Sequence, residues 1–299
     1  MYEKLEFLLA LAAEKHFGRA AKVCGVSQPN FSLMIKQLET VLGVPLVDRS
    51  ARFMGFTPEG ERVLEWARRI VGDTRAMRAE IETMKQGLTG HLRLAVIPTV
   101  LPVVSRLTEA FWTHHPGIKF TVTSHTSTEV LAMLDNLEAD AGITYLDDET
   151  TGRISEVPLY HERHCLITAE GTPFSDRATV TWEEVATLPL CLLTPSMQNR
   201  RIIDRIFSEV GCAVDPVLET NSIVVIATHV RARHWVTIMP RLMAEALALP
   251  GGIKAIPIVA PEVASLIGLV VGRRSPQPPL TAALMAEVRA LSSELEASS

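Results

Sequence analysis

The residues with the clearest chemical meaning lie between Phe17 and Glu39, in the stretch FGRAAKVCGVSQPNFSLMIKQLE. Apolar residues recur there at three- and four-residue spacing and predict the buried face of a helix: Phe31, Met34, Ile35 and Leu38. The rest of that helix carries polar residues: Gln28, Asn30, Ser32 and Lys36. Asn and Gln can pair with adenine through two hydrogen bonds in the major groove, while Ser and Lys suit phosphates or base edges. The pattern therefore favours a helix that reads DNA.

A turn and two preceding helices must position this helix. Gly25 stands where the chain reverses, because glycine adopts a positive φ without steric cost. Ser27 can cap the next helix by accepting a backbone N–H, and Pro29 falls in its first turn. Periodicity alone does not exclude an ordinary helical hairpin whose polar residues face water.

Extended through GVPLVDRSARFMGFTPEG, the pattern resembles that of the LysR-type transcriptional regulators. The matching residues are Leu5, Phe7, Arg19, Ala20, Ala21, Val26, Ser27, Gln28, Pro29, Ser32, Leu38, Glu39, Leu42, Gly43, Leu46, Asp48, Arg49, Arg52 and the run Thr57-Pro58-Glu59-Gly60. Two sites depart from the family pattern: residues 16–18 are His-Phe-Gly rather than Gly-Ser-Phe, and Val47 replaces a Phe. Neither site lies on the predicted recognition face.

The segment from Val44 to Phe56 follows the recognition helix and predicts a short two-stranded wing. Its arginines would meet phosphates or enter the minor groove, although a solvated loop with two surface arginines is the simpler alternative. The resemblance favours the wing and implies a winged helix-turn-helix domain over residues 1–58. The predicted DNA contacts are Arg19, Ser27, Gln28, Pro29, Asn30, Ser32, Lys36, Arg49 and Arg52.

Composition is that of a globular protein, with 47% hydrophobic and 21% charged residues in 299. The net charge of −5 is unevenly distributed: residues 1–93 carry 14 basic and 11 acidic residues, and the remainder 15 and 23. The N-terminal part is thus only mildly basic, so its affinity for DNA must come from a few contacts, doubled by dimerisation. The four cysteines show no paired spacing, no run reaches the length of a membrane span, and we expect a cytoplasmic protein with reduced thiols.

A long helix is predicted from Thr57-Pro58 to about Leu88. Its apolar positions alternate spacings of four and three, as in a heptad seam: Val63, Ala67, Ile70, Thr74, Met77, Ile81, Met84 and Leu88. Such a helix is too long for one small domain, so the seam predicts a partner helix and hence a dimer. Gly87 and Gly90 then break the helix, and residues 59–90 form a linker.

From His91 onward, apolar strands alternate with amphipathic helices, which predicts parallel sheets with helices on both faces. Two such units with two chain crossings give a hinged, two-lobed α/β domain similar to periplasmic binding proteins, as the resemblance also implies. We place lobe I at residues 91–162 with 267–299, and lobe II at 163–266. The predicted fold class is therefore α+β multidomain: winged helix-turn-helix, linker helix and two-lobed effector domain.

Ligands of open α/β sheets bind beyond the carboxyl ends of the strands, which here face each other between the lobes. Each polar residue at these strand ends could equally be a helix cap or a ligand contact. Taken as a set they favour a ligand, because caps need not converge on one place. Members of the family usually carry a Gly-x-Gly run where this chain has Arg233-His234-Trp235. These larger residues would narrow the cleft and add positive charge to it. The alternative is that their side chains point outward. The predicted effector contacts are Pro98, Thr99, Val100, Ser127, Thr128, Thr144, Thr194, Asn221, Arg233, His234 and Trp235.

The favoured function is a transcriptional regulator that binds double-stranded promoter DNA and responds to a small effector, with a small anion or carboxylate as the hypothesis. The resemblance implies a tetramer and recruitment of RNA polymerase. The alternative is a cytoplasmic solute-binding or catalytic two-lobed protein whose N-terminal helices serve only dimerisation. We find no catalytic constellation, cofactor motif or metal-ligand set, since His161 and His164 have no apparent third ligand, and so expect no enzyme activity, cofactor or metal.

Overall fold

The computed structural model describes residues 1–49, 53–146, 154–247 and 252–298. The helices are α1 (Tyr2–Glu14), α2 (Phe17–Val23), α3 (Gln28–Leu42), α4 (Pro58–Gln86), α5 (Leu101–His114), α6 (Ser127–Asp135), α7 (Trp182–Ala186), α8 (Gln198–Glu209), α9 (Ile223–Arg231), α10 (Arg241–Leu247) and α11 (Pro279–Ser298). The strands are β1 (Val47–Arg49), β2 (Phe53–Phe56), β3 (Gly90–Val96), β4 (Ile118–Ser124), β5 (Ala141–Tyr145), β6 (Ile154–Ala169), β7 (Val180–Thr181), β8 (Cys191–Leu193), β9 (Leu218–Thr220), β10 (Thr237–Pro240), β11 (Ile253–Val259) and β12 (Ala264–Gly272).

Helices α1, α2 and α3 pack around one apolar core, followed by the antiparallel pair β1–β2. Local signals set the ends of α3: the Ser27 hydroxyl accepts from the backbone N–H of Asn30, and Gly43 ends the helix with a φ of 73°. Gly60 lets α4 approach the wing, because a Cβ there would lie 2.0 Å from the carbonyl oxygen of Leu46. The helix-turn-helix and its wing therefore form one packed unit with the start of α4.

Helix α4 starts at the Thr57 cap and runs for 29 residues, a length of about 43 Å. Its first half packs on α1, with Leu64, Ala67 and Val71 fully buried. Large apolar side chains remain exposed along its other face: Trp66, Ile70, Met77, Ile81 and Met84. Of the predicted seam, Val63 and Ala67 therefore pack in the N-terminal core, Leu88 packs against the core of the C-terminal domain, and Ile70, Met77, Ile81 and Met84 form an uncovered apolar face.

Strands β3, β4 and β5 are parallel and lie in the order β4-β3-β5, with β12 antiparallel to β5. We call these strands, the first half of β6 and helices α5, α6 and α11 lobe I. Its core is dominated by branched apolar residues on both faces of the sheet, which is the composition expected of buried parallel strands.

Strand β6 runs through both lobes and pairs with different strands in each of them. It pairs with β12 up to Arg163 and with β10 from His164 onward, while β11 joins its other edge. The end of β6, with β7 to β11 and α7 to α10, is called lobe II. The short connection from β11 to β12 returns the chain to lobe I, so two neighbouring segments link the lobes.

The alternation of strands and helices predicted from sequence is present, but four elements were missed in whole or in part. Strand β6 is 16 residues long, while only its end was predicted, and β7, β11 and α10 were not predicted. No helix among the described residues is long and apolar enough to cross a membrane.

Candidate DNA interface and interlobe cleft

The recognition helix α3 separates its apolar and polar residues as its pattern predicts. Phe31, Ile35 and Leu38 are fully buried, whereas Gln28, Pro29, Asn30 and Lys36 are exposed. Ser27 is exposed at the cap, and Ser32 is half-buried. The exposed set lies on the opening turns of the helix, the part that enters the major groove in helix-turn-helix proteins.

The three arginines predicted to contact DNA differ in what the structure shows of them. Arg19 is exposed, but its guanidinium donates to Glu14, through Nε to the carboxylate at 3.0 Å and through Nη2 to the carbonyl oxygen. Arg49 ends β1, and Arg52 lies outside the described residues. A phosphate contact by Arg19 must therefore compete with this exposed ion pair, which is worth less than about 1 kcal/mol.

His16 has a role that sequence reasoning missed. Its ring Nδ1 accepts from the backbone N–H groups of Gly18 and Arg19, at 3.0 and 3.3 Å, and so caps α2. The signal was its position directly before a helix, but His is not among the usual capping residues. At the departure from the family pattern at residues 16–18, His16 thus supplies the N-terminal cap of α2.

An aromatic cluster joins the wing to the helices. Phe17 packs edge-on against Phe31 of α3 and Phe53 of β2, with ring centroids 6.1 and 6.3 Å apart, and Phe53 in turn packs against Phe56. The Glu39 carboxylate also accepts from the backbone N–H groups of Leu46 and Val47. The angle between recognition helix and wing is therefore held by packing as well as by hydrogen bonds.

A small cavity lies between the lobes at the carboxyl ends of β3 and β5. It leaves ≈ 10 Å³ for the centre of a water-sized molecule, which is enough for about one water. Its lining combines hydroxyl, amide and apolar groups: Ile97, Pro98, Thr99, Thr126, Ser127, Tyr145, Leu193, Met197, Gln198 and Asn199. Ser127 is 7% exposed, and its hydroxyl has no hydrogen-bond partner within the described residues. The site is thus very small and offers an unused polar group.

A buried hydrogen-bond network runs from this cavity across both lobes. The Tyr145 hydroxyl donates to Oε1 of Glu162 at 2.5 Å. Nδ2 of Asn199 in lobe II lies 3.3 Å from Tyr145 Oη and 3.1 Å from Nε2 of His164, and donates to both. Each of these side chains is buried. Opening the lobes would separate Asn199 from Tyr145.

Burial fixes the charge states of this network. It raises the pKa of Tyr145, with the Glu162 charge adding to the effect, so the phenol stays protonated and donates. Burial lowers the pKa of His164 to about 4, so the imidazole is neutral near pH 7 and can accept from Asn199. The network therefore requires a neutral His164.

Outside the small cavity the cleft widens into an open groove lined by Pro98, Ser124, His125, Thr126, Glu129, Thr194, Ser196, Met197, Glu219, Thr220, Asn221 and Ser222. The backbone N–H of Thr126 donates to Glu129 and lowers the pKa of that carboxyl, which is therefore ionised. None of the described residues lining the cavity or the groove is a lysine or arginine. These lining residues therefore offer no lysine or arginine to bind the anionic effector that the sequence suggested.

Arg200 is a buried cation close to this cleft that serves lobe II itself. Its guanidinium donates to Asp204 at 2.7 Å, Glu219 at 2.5 Å and the Leu193 carbonyl oxygen at 2.9 Å. Burial alone would lower the pKa of Arg200, but the two carboxylates outweigh it and raise the pKa. This residue holds α8 to β8 and β9 rather than offering its charge to a ligand.

The structure brings together only part of the predicted effector set. Pro98, Thr99 and Ser127 line the small cavity, and Thr194 and Asn221 line the groove. The other predicted residues are not among the lining residues: Val100 and Thr144 are fully buried, Thr128 is exposed on α6, Arg233 and His234 are exposed, and Trp235 is half-buried.

Packing explains the position of the Arg233-His234-Trp235 segment. Trp235 packs against the core of lobe II, and its ring contacts His229 and His234 at centroid distances of 5.2 and 5.8 Å. Arg233 has a φ of 68°, which turns the chain after α9. The replacement of the family's small residues therefore fills the surface of lobe II rather than the cleft.

Sequence reasoning missed the network residues Glu162 and Asn199 and the cavity residue Met197, and it considered His164 only as a metal ligand. The partners of Glu162 and His164 lie far away in sequence. No group of three or more His, Cys, Asp or Glu residues among the described ranges is placed to hold a metal ion. The four cysteines are all free thiols.

A winged helix-turn-helix on a long linker helix, followed by a two-lobed α/β unit with an interlobe cavity, defines the class of ligand-responsive DNA-binding regulators. Matches to two family models show which family within this class the chain belongs to. "Bacterial regulatory helix-turn-helix protein, lysR family" matches residues 2–61, and "LysR substrate binding domain" matches residues 85–293. The chain belongs to the LysR family of transcriptional regulators. The predicted family and fold class are thereby confirmed, and the family is one of regulators rather than enzymes.

Curated relatives cover nearly the whole chain. The DNA-binding transcriptional dual regulator OxyR of Escherichia coli K12 is 30% identical over 277 residues, covering 91% of this chain and 89% of the relative. The hydrogen peroxide-inducible genes activator of Haemophilus influenzae is 29% identical over 278 residues, covering 91% and 90%.

Solved structures of the same architecture support the fold. Full-length OxyR from Pseudomonas aeruginosa, in a Cys-to-Asp variant, matches with a TM-score of 0.76 at 24% identity, covering 98% of this chain and 99% of that one. Full-length CbnR in complex with its target DNA matches with a TM-score of 0.61 at 22% identity, covering 97% and 99%.

Proposed function

We propose that this LysR-type regulator binds promoter DNA through the opening turns of α3 and the wing, as dimers joined by α4 and assembled into tetramers. The exposure of Gln28, Asn30 and Lys36 above a fully buried apolar face is the observation that carries the DNA contact. The uncovered apolar residues of α4 support the dimer. We further propose recruitment of RNA polymerase, a cytoplasmic location and no catalytic activity.

We divide the chain as the sequence predicts: residues 1–58 for DNA binding, 59–90 for the linker, 91–162 with 267–299 for lobe I, and 163–266 for lobe II. The exchange of β6 partners at Arg163 and His164 supports the lobe division.

The effector site is the small interlobe cavity, and its geometry favours a neutral molecule of a few atoms. The space is of about water size, the Ser127 hydroxyl is an unused polar group at the cavity, and the carboxylates of the adjoining groove disfavour an anion. A molecule that both donates and accepts hydrogen bonds would satisfy Ser127 and compete for Asn199 or Tyr145. Such competition would shift the angle between the lobes only if the molecule binds one arrangement better than the other.

The name of the Haemophilus influenzae relative, a hydrogen peroxide-inducible genes activator, makes hydrogen peroxide the first compound to test. Its two hydroxyl groups suit the size and chemistry of the cavity. The cavity lining contains the thioether of Met197 but no thiol. Cys165 is buried elsewhere, and burial raises its pKa to about 11, which disfavours the reactive thiolate. We therefore propose reversible, non-covalent binding rather than cysteine oxidation.

The test is fluorescence anisotropy with labelled DNA from upstream of the encoding gene. Gln28→Ala with Asn30→Ala should weaken binding by about tenfold or more, because each paired base contact contributes about 1–3 kcal/mol. Thr128→Ala, an exposed change on α6, is the matched control. Equal affinity of wild type and the double variant would overturn the DNA assignment.

The effector is tested separately by adding hydrogen peroxide and removing it by gel filtration. A reversible change in DNA binding that is reduced in Ser127→Ala supports the cavity. Intact-mass spectrometry after the cycle should show no added oxygen. A response that persists after removal and tracks oxidation of a cysteine or of Met197 would contradict non-covalent binding.

A further inference from the structure

A second cavity lies between the linker helix α4 and lobe I, and it shares no lining residue with the interlobe cleft. It leaves ≈ 200 Å³ for the centre of a water-sized molecule. Small residues open it on the α4 side, namely Gly72, Ala76 and Ala79, while lobe I contributes apolar residues such as Leu92 and Leu280. An apolar protein cavity of about 150 Å³ accommodates benzene, so this one has room for a molecule of similar or slightly larger size.

Arg274 supplies an incompletely used positive charge at this cavity. Its side chain is only 15% exposed, yet its one hydrogen bond within the described residues is from Nη1 to Oδ1 of Asp73, at 3.0 Å. A guanidinium has five N–H donors arranged as a fork that matches a carboxylate. Arg274 lines the cavity, and most donors of its largely buried guanidinium therefore have no protein acceptor within the described residues.

Gly72 is what allows Arg274 to occupy this position. A Cβ at Gly72 would lie 1.9 Å from Nη2 and 2.1 Å from Nη1 of Arg274, far inside van der Waals contact. Glycine inside a helix costs about 1 kcal/mol relative to alanine. The chain thus carries a destabilising residue in α4 at the one site where the guanidinium rests on the helix.

Two further polar groups line the cavity beside Arg274. Thr281 is 6% exposed and places its hydroxyl-bearing side chain in the cavity wall. Oε1 of Gln277 is buried and has no partner within the described residues, while its Nε2 donates to the carbonyl oxygen of Gly272 at 3.1 Å. Buried polar groups normally find partners, so the Gln277 oxygen points to a ligand.

The other charges of the cavity are already paired. The Arg93 guanidinium donates to both carboxylate oxygens of Asp140, at 3.1 and 2.7 Å. Arg75 donates to the carbonyl oxygen of Leu137 and to Glu6, each at 3.2 Å. Arg274 is also paired, but its one partner within the described residues is the exposed Asp73, so it is the cation with donors to spare for an incoming anion.

We propose that this cavity binds a small carboxylic acid with a compact apolar body, whose carboxylate pairs with Arg274 and Thr281. The apolar body would lie against Ala76, Leu92 and Leu280. Since the walls belong to both α4 and lobe I, the bound acid would stabilise one placement of the linker on the effector domain. Arg75, which reaches Glu6 of α1 from the same wall, extends this link to the DNA-binding domain.

The experiment is isothermal titration calorimetry of the full chain with benzoate and cyclohexanecarboxylate, and with benzyl alcohol as a neutral compound of similar shape. Both acids should bind, and benzyl alcohol should bind about tenfold or more weakly, because a charge-assisted pair is lost. Gly72→Ala keeps every charge and favours the helix but displaces Arg274, so it should weaken benzoate binding by a similar factor. Ala76→Leu, which fills the cavity, should do the same.

Ser196→Ala, in the interlobe groove, is the control and should bind benzoate as wild type does. Failure of both acids to bind, equal binding of benzyl alcohol, or unchanged benzoate affinity in Gly72→Ala and Ala76→Leu would each overturn the proposal. Loss of benzoate binding in Ser196→Ala would place the acid in the interlobe groove and also overturn it. None of these results bears on the response to a neutral effector in the interlobe cavity.

Discussion

The hydroxyl of Tyr145 and the amide nitrogen of Asn199 lie 3.3 Å apart across the two lobes, and both side chains line the interlobe cavity. The same hydroxyl donates to Glu162 on β6, the strand that passes through both lobes. The two hydrogen bonds of this one hydroxyl therefore link lobe I, lobe II and the connecting strand at the point where an effector would bind. A ligand that takes the place of Asn199 at Tyr145 would act directly on the contact between the lobes.

Replacing Asn199 by alanine should destabilise the protein and loosen the lobes. Tyr145 and His164 each lose a buried donor, and leaving buried polar groups unpaired costs about 1–3 kcal/mol. Urea unfolding followed by circular dichroism measures the loss. Ser196→Ala, an exposed change three residues away, should stay within about 0.5 kcal/mol of wild type. Equal stability of the Asn199 and Ser196 variants would show that the interlobe hydrogen bond contributes little.

Acidification should destabilise the protein through His164. The folded-state pKa of about 4 lies below the usual value of about 6.5, so between these values the unfolded chain binds more protons and stability falls as pH decreases. At pH 5 this loss amounts to about 2 kcal/mol, most of it appearing below pH 6.5. His164→Gln, which keeps an acceptor for Asn199, should show a smaller loss between pH 7 and pH 5 in urea midpoints. Parallel pH profiles for the two proteins would argue against a neutral, buried His164.

Much of the fold was predictable because its signals are local. The helix-turn-helix follows from the apolar spacing, Ser27 and Gly25, and the linker from Thr57 and a long periodic pattern. The length of β6 was not predictable, since its first half pairs with β12, about 100 residues away. Its alternation of polar and apolar residues gave no separate signal of which lobe it belongs to.

The sequence predicted the site residues that lie at the ends of strands. It missed the residues that are brought together by contacts between distant parts of the chain. Thr99 and Ser127 follow strands and line the cavity, as the strand-end rule suggests. Glu162 and Asn199 come together only after both lobes have formed. Arg233 was assigned to the cleft from its charge and its neighbours, but the turn after α9 leaves it on the surface. Charge alone does not determine which way a loop side chain faces.

Lys36 and Asn30 should affect DNA binding in different ways. Lys36 is exposed and suits a phosphate, so Lys36→Ala should weaken binding to all sequences alike and lower the slope of log K against log salt by about 1. Asn30→Ala should leave that slope unchanged and reduce the preference for the cognate site. Anisotropy titrations at several salt concentrations, with cognate and scrambled DNA, separate the two effects. If both variants change the salt dependence equally, Asn30 contacts the backbone rather than a base.

The uncovered face of α4 should determine the oligomeric state. Met77, Ile81 and Met84 are 54%, 45% and 81% exposed, which is unfavourable for neighbouring large apolar residues unless another chain covers them. Ile81→Glu should therefore lower the molecular mass in sedimentation velocity, because a carboxylate would be buried in the helix pair. Glu80→Gln, an exposed change on the adjacent residue, should keep the wild-type mass. DNA affinity should fall with the loss of dimer, since a mildly basic N-terminal domain gains affinity by binding two half-sites together. A wild-type mass for Ile81→Glu would place the subunit contact on another surface of the chain.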